Sequence, residues 1–201
     1  MPSSTSRSLS RSIRHTNDER RLDCYQTPPE ATQALLRAER LPKVLWENSC
    51  GPGAIVRVLR AAGHEVLATD LQDYKSPDQD LADFDFMLQD RLPFPGIEAI
   101  VMNPPYNRTN DFVRKALELC PRVYALLRIQ YLEGQRRTDI LDQLERVHIF
   151  SNRLPMLHRE GWDGPRATNT QCFAWYAFNR FHLGPTALYR IRWEPMLTVK
   201  M

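Results

Sequence analysis

The chain has 201 residues, 42% of them hydrophobic and 25% charged, with a net charge of +3, which suits one sizeable core in one or two domains. No run approaches the roughly 18 apolar residues of a membrane span, and Met1 to Arg14 alternates Ser with Arg where a secretory signal would be apolar. Cys24, Cys50, Cys120 and Cys172 are scattered, with no C-x-x-C pair and no histidine pair at ligand spacing; this argues against a disulfide scaffold or a zinc site and for a cytoplasmic protein with reduced thiols and no metal.

Residues 1–22 hold six serines, five arginines and almost no large apolar residues, which predicts a disordered basic arm. Thr27-Pro28-Pro29 suits entry into a helix over Glu30–Arg40, which Pro42 ends. Val44-Leu45-Trp46 reads as a strand, Gly51-Pro52-Gly53 as a turn, and Ala54–Ala62 as a helix stopped by Gly63. Further strands are predicted at Glu65–Thr69, Asp83–Met87, Ile97–Met102, Val123–Leu127, Val147–Ser151 and Cys172–Phe178. Helices are predicted at Asp111–Leu119 and from about Leu132 to Leu144. Strand–helix alternation with short connections predicts an α/β sandwich around a mostly parallel sheet. The last two predicted strands are joined by about 20 irregular residues and no crossover helix, which favours antiparallel pairing there.

Ligands of open α/β sheets sit at the carboxyl ends of the strands. Glu47, Asp70 and Asp85 fall at three such ends, and glycines 51 and 53 allow close backbone approach. A dinucleotide is disfavoured, because G-x-G-x-x-G is broken by Val56 at its sixth position. Acids so placed suit a ligand with a positive centre and ribose hydroxyls, such as S-adenosylmethionine. Asn103-Pro104-Pro105-Tyr106 follows directly on the Ile97–Met102 strand. The prolines fix backbone torsions and remove two donors, so the Asn103 side-chain oxygen and the Pro104 carbonyl can accept both hydrogens of one planar amino group. Tyr106 offers that group's ring a face for stacking.

These segments resemble the amino-group DNA methyltransferases of the N6-adenine type, over about Tyr25 to Phe178. Tyr25-Gln26-Thr27-Pro28 resembles their N-terminal cofactor motif, and Glu47-Asn48-Ser49-Cys50-Gly51-Pro52-Gly53 their glycine-rich motif. Asp70, Asp85-Phe86 and Asn103-Pro104-Pro105-Tyr106 follow in a gamma-like order. The resemblance implies a Rossmann-like class I methyltransferase sandwich, with a mostly parallel seven-stranded sheet and an antiparallel last strand, as one domain over 23–201. It implies S-adenosylmethionine as cofactor, held by Tyr25, Thr27, Pro28, Glu47, Cys50, Gly51, Gly53, Asp70, Leu71, Asp85, Phe86 and Asn103. Thr27 would meet the methionine carboxylate, Asp70 the ribose, and Asp85-Phe86 the adenine ring. Asn103, Pro104, Pro105 and Tyr106 would be catalytic. Asn48 stands where the family usually has Pro, and no inserted domain serves for target recognition.

Nucleic acid, double-stranded DNA first, is the partner expected. Of 27 basic residues 23 are arginine, and the excess is uneven: positions 30–102 hold 12 acids and 7 bases, positions 103–201 hold 9 acids and 15 bases. Arg128, Arg136 and Arg137 are placed after the fifth strand and on the next helix. Arg153, His158, Arg159, Trp162 and Arg166, with Gly161 and Gly164, lie in the 151–170 loop, which stands in for a recognition domain. A target base would be flipped out of its duplex to reach Tyr106. The same tetrapeptide suits RNA adenine, cytosine N4 or a glutamine amide, and a non-catalytic nucleic-acid-binding subunit is a further alternative.

Overall fold

The computed structural model of the chain describes residues 26–154 and 171–194. Its regular elements are α1 (Pro29–Ala38), β1 (Val44–Glu47), α2 (Ala54–Ala61), β2 (Glu65–Ala68), β3 (Ala99–Met102), α3 (Thr109–Leu119), β4 (Arg122–Arg128), α4 (Thr138–Leu141), β5 (Leu144–Phe150), β6 (Phe173–Asn179) and β7 (Ala187–Ile191). The strands form one sheet in the order β2-β1-β3-β4-β6-β5-β7. Six run in one direction, and β6 lies antiparallel between β4 and β5. The expected mostly parallel seven-stranded sheet therefore forms, with its antiparallel strand interior and sixth in the chain.

Side chains alternate across the sheet and sort into two apolar layers. Leu45, Val66, Ala99, Val101, Leu126 and Trp175 face α1 and α2, which present Ala31, Ala34 and Leu35, and Ile55, Val56 and Leu59. Trp46, Ile100, Met102, Ala125, Leu127 and Tyr176 face the other way, against Phe112, Val113, Ala116 and Leu117 of α3. Polar bonds pin α1 at both ends. Trp175 Nε1 donates to the Ala31 carbonyl at 2.8 Å. Glu39, just past the helix, accepts Arg146 Nε at 2.6 Å and Nη2 at 3.0 Å, and lies 2.6 Å from His148 Nε2.

Three sequence expectations change. Asp83–Met87 is not a strand: the Asp85 side chain accepts the Met87 N–H at 2.8 Å, capping a 3-10 turn over Phe86–Leu88. A local carboxylate–backbone bond of this kind competes with a ladder. The apolar alternation that suggested a strand has another use, because Phe84 and Phe86 both pack edge-on against Trp46. The seventh strand is instead β7, a largely exposed edge strand parallel to β5. The helix expected at Leu132–Leu144 is broken into 3-10 turns at Ile129–Leu132 and Gln135–Arg137 and the single turn α4. Gly134, at φ +109°, interrupts it, so Arg136 and Arg137 lie on a 3-10 turn.

Gly53 precedes α2 at φ +88°. A Cβ there would clash with the Asp78 Cβ, and Asp78 is itself held by Arg57 Nη1 at 2.7 Å. Its bareness serves this backbone–side-chain approach as well as the turn. Gly53→Ala is expected to destabilise the protein by about 2–4 kcal/mol, from left-handed strain plus the clash. Urea unfolding measures this, and a loss below about 0.5 kcal/mol would show that Asp78 moves aside freely.

Candidate active site

From β1 the chain crosses to β2 on one side, then returns past β1 to β3 on the other. The connections leaving β1 and β3 therefore diverge, opening a crevice at the carboxyl edge. A cavity of about 270 Å³ occupies it. Its walls include Thr27, Glu47 to Pro52, Asp70 to Gln72, Phe84 to Phe86 and Asn103 to Arg108.

Thr27, Glu47, Cys50, Gly51, Asp70, Leu71, Asp85, Phe86, Asn103, Pro104, Pro105 and Tyr106 thus share one cavity. Pro28 and Gly53 do not line it: Pro28 caps α1, and Gly53 faces Asp78. Asp85 reaches the wall from its 3-10 turn and not from a strand end. Tyr25 lies outside the described residues, as do His158, Arg159, Gly161, Trp162, Gly164 and Arg166. Arg153 is exposed, with its carbonyl accepting Trp193 Nε1 at 3.0 Å.

Asp70 joins two of these walls. Its Oδ2 accepts the Gly51 N–H and its Oδ1 the Gln72 N–H, both at 2.9 Å. Burial pushes its carboxyl above the ordinary range, against the pull of those amides. Glu47, 2% exposed, is pushed well up by burial first and by the Asp70 charge second, while the Val56 N–H acts the other way. Glu47 Oε2, both polar atoms of the Asn48 amide and the Ser49 hydroxyl are buried without a hydrogen-bond partner. Buried polar groups are rarely left so, and here three consecutive residues on the cavity wall leave donors and acceptors unsatisfied. Asn48 was given no role by its sequence, and Gln72 and Tyr74 complete the wall unforeseen.

Across the cavity, Asn103 Nδ2 donates to Thr27 Oγ1 at 3.1 Å, which sets the amide's rotation and turns Oδ1 away from Thr27. The Pro105 carbonyl accepts the Arg108 N–H at 3.1 Å and the Thr109 hydroxyl at 3.2 Å, fixing the exit into α3. The Tyr106 ring lies 6.1 Å from Phe173, tilted by 38°, and the Arg128 guanidinium sits 4.4 Å over it. A second cavity, of about 340 Å³, begins at Tyr106, Asn107 and Arg108 and continues to Arg128, Tyr131 and Arg137. Arg136 is exposed and outside both cavities. Among the described residues, no group of three or more His, Cys, Asp or Glu could hold a metal ion, and no helix is long and apolar enough to cross a membrane.

No protein-family profile and no curated protein sequence matches the chain. Solved structures do. A protein from Pyrococcus horikoshii assigned as an RNA methyltransferase superposes with a TM-score of 0.57 and 14% identity, over 79% of this chain and 87% of that one. A modification subunit assigned to a type I restriction enzyme of Vibrio vulnificus gives 0.57 and 12%, over 83% of this chain and 47% of that one. A dimethyladenosine transferase of Plasmodium falciparum gives 0.51 and 13%, over 78% and 63%. The fold is that of the Rossmann-like methyltransferases.

The raised carboxyl of Glu47 makes a linkage prediction. A carboxyl whose pKa is higher folded than unfolded binds more protons in the folded state, so the ligand-free protein loses stability as pH rises through the interval between the two values. Glu47→Gln removes that loss while keeping an acceptor for Val56. It is expected to raise the melting temperature of the ligand-free protein more at pH 8 than at pH 5. Equal shifts at both values would mean that Glu47 does not titrate differently in the folded protein.

Proposed function

We propose that the chain transfers a methyl group from S-adenosylmethionine to an exocyclic amino group of nucleic acid, N6 of adenine in DNA being the acceptor. The observation that carries this reading is one cavity shared by Glu47, Gly51 and Asp70 and, across it, by an Asn103 whose amide is oriented by Thr27. The unpartnered Glu47 Oε2, the Asn48 amide and the Ser49 hydroxyl suit the ammonium and carboxylate of a methionine moiety. Asp70 has lone pairs beyond those used by Gly51 and Gln72 for ribose hydroxyls, and Phe84, Asp85 and Phe86 offer apolar and polar contacts to a purine. When bound, S-adenosylmethionine supplies an activated methyl on a sulfonium, so positioning carries most of the catalysis.

Asn103 Oδ1 and the Pro104 carbonyl accept the two hydrogens of the target amine, drawing its lone pair out of conjugation and aiming it at the methyl. The excess proton leaves after transfer, and no dedicated base is needed. Tyr106 holds the ring by stacking, which for a base is worth about 1–3 kcal/mol. The paired acids at the cofactor end and the arginines at the other favour a cationic donor and a polyanionic acceptor.

Incubation with labelled S-adenosylmethionine and duplex DNA, RNA or protein, followed by nucleoside digestion and mass spectrometry, tests the assignment. N6-methyldeoxyadenosine is the expected product; label confined to RNA, cytosine or glutamine would reassign the acceptor, and none on any would end the enzymatic reading. Asn103→Ala is expected to abolish transfer while leaving cofactor affinity within about threefold, because Asn103 meets the acceptor. Asp70→Asn, which preserves the shape of the turn, is expected to weaken S-adenosylmethionine binding by about 1.5–3 kcal/mol in calorimetry, the worth of a charge-assisted bond. Unchanged affinity would remove Asp70 from the site.

A further inference from the structure

Arg128 and Arg137 share the second cavity in a common arrangement. Each guanidinium lies over a tyrosine ring, Arg128 at 4.4 Å from Tyr106 and Arg137 at 4.5 Å from Tyr131. Each has its Nε buried without a hydrogen-bond partner. Neither forms an ion pair with a carboxylate among the described residues, whereas Arg108, at the same cavity, lies 3.7 Å from Asp111. The cavity therefore holds two positive charges without a counter-ion, each resting on a π face that attracts it only moderately. A planar guanidinium on Tyr106 also covers the surface on which a planar base would stack.

We propose that Arg128 is a displaceable cap on Tyr106: the target base takes its place on the ring, and the released guanidinium joins Arg137 in binding that nucleotide's phosphate. The inference rests on the amino-methyl-transfer reading and adds to it how the acceptor is admitted. In the uncapped state two guanidiniums face one anion, Arg137 with its Nη1 already donating to the Tyr131 carbonyl at 3.1 Å, and charge-assisted, bidentate bonds to phosphate are stronger than cation–π contact with a tyrosine. A nucleoside without phosphate has to displace Arg128 and offers it no new partner. A nucleotide compensates for the displacement. The cap therefore discriminates between a base presented on a phosphate backbone and a loose planar amine.

Ligand-observed NMR titration of the full chain with deoxyadenosine and with deoxyadenosine monophosphate tests this. The wild-type protein is expected to bind the monophosphate about tenfold or more tightly than the nucleoside. Arg128→Gln is expected to lose most of that preference while binding the nucleoside at least as well as wild type, since the cap is gone. Arg128→Lys, which keeps the charge and loses the planar stack, is expected to retain the preference. Equal weakening of both ligands in Arg128→Gln, with Lys behaving like Gln, would make Arg128 a structural prop and overturn the proposal; so would a wild-type protein with no preference. Thermal unfolding verifies that both variants fold. Calorimetry of wild type with S-adenosylmethionine judges the methyl-transfer reading separately, so the nucleotide titrations decide the cap whichever way that measurement falls.

Discussion

The carboxyl edge of this sheet is organised by one half-buried carboxylate. Asp70 accepts from Gly51 in the connection after β1 and from Gln72 in the connection after β2. Its own backbone donates to the Leu81 carbonyl at 3.1 Å and accepts the Phe84 N–H at 3.0 Å. Four hydrogen bonds from one residue thus join the glycine turn, the end of β2 and the irregular segment that returns to β3. Burial disfavours the charge, and the amides offset that only in part. Glu47, deeper and next to it, is pushed well above its ordinary range by its own burial first and by the Asp70 charge second. A site kept in this condition is unfavourable when empty and favourable toward a cation or hydroxyl donor, as binding sites commonly are.

The segment between β2 and β3 shows how that edge stays open. Over residues 69–98 there is no α-helix; an isolated bridge between Thr69 and Leu81 and one 3-10 turn take its place. Trp46 gives this irregular chain a surface to fold upon, with its Nε1 donating to Thr69 Oγ1 at 3.0 Å and its ring meeting Phe84 and Phe86 edge-on. A helix would have closed the sheet face with a regular apolar stripe. The loop instead closes it with aromatics and leaves Asp85 and Phe86 on the cavity wall.

Tyr106 divides the site by charge. On one side are Glu47, Asp70 and Asp85; on the other are Arg128 and Arg137, with Asp111 alone for the opposite sign, and Arg108 lies on the walls of both cavities. Each side has low-dielectric walls that lengthen the reach of its charges. On the proposed reading, a cationic methyl donor and an anionic acceptor would each be drawn to the compartment that suits it, and would meet at the tetrapeptide between them.

Much of this was legible in the chain. Val44–Trp46, Ile97–Met102 and Val123–Leu127 read as strands because a strand buried on both faces is a continuous apolar run. Asn103-Pro104-Pro105-Tyr106 could be placed at a strand end because two prolines cannot continue a ladder. The acids of the first half and the arginines of the second already separated two kinds of surroundings. What the sequence could not determine depends on contacts between distant residues. Phe84 and Phe86 alternate as a strand would, and only Trp46 across the fold gives them another use. Gly53 looks like one more turn glycine until Asp78 is brought against it. The β7 strand carries no strong pattern because an edge strand exposed on both faces needs none. Arg128 rests on Tyr106 because β3 and β4 are parallel neighbours, so residues 22 positions apart leave the sheet side by side. Local periodicity encodes which face a residue takes; only the order of the strands decides which residues meet at their ends.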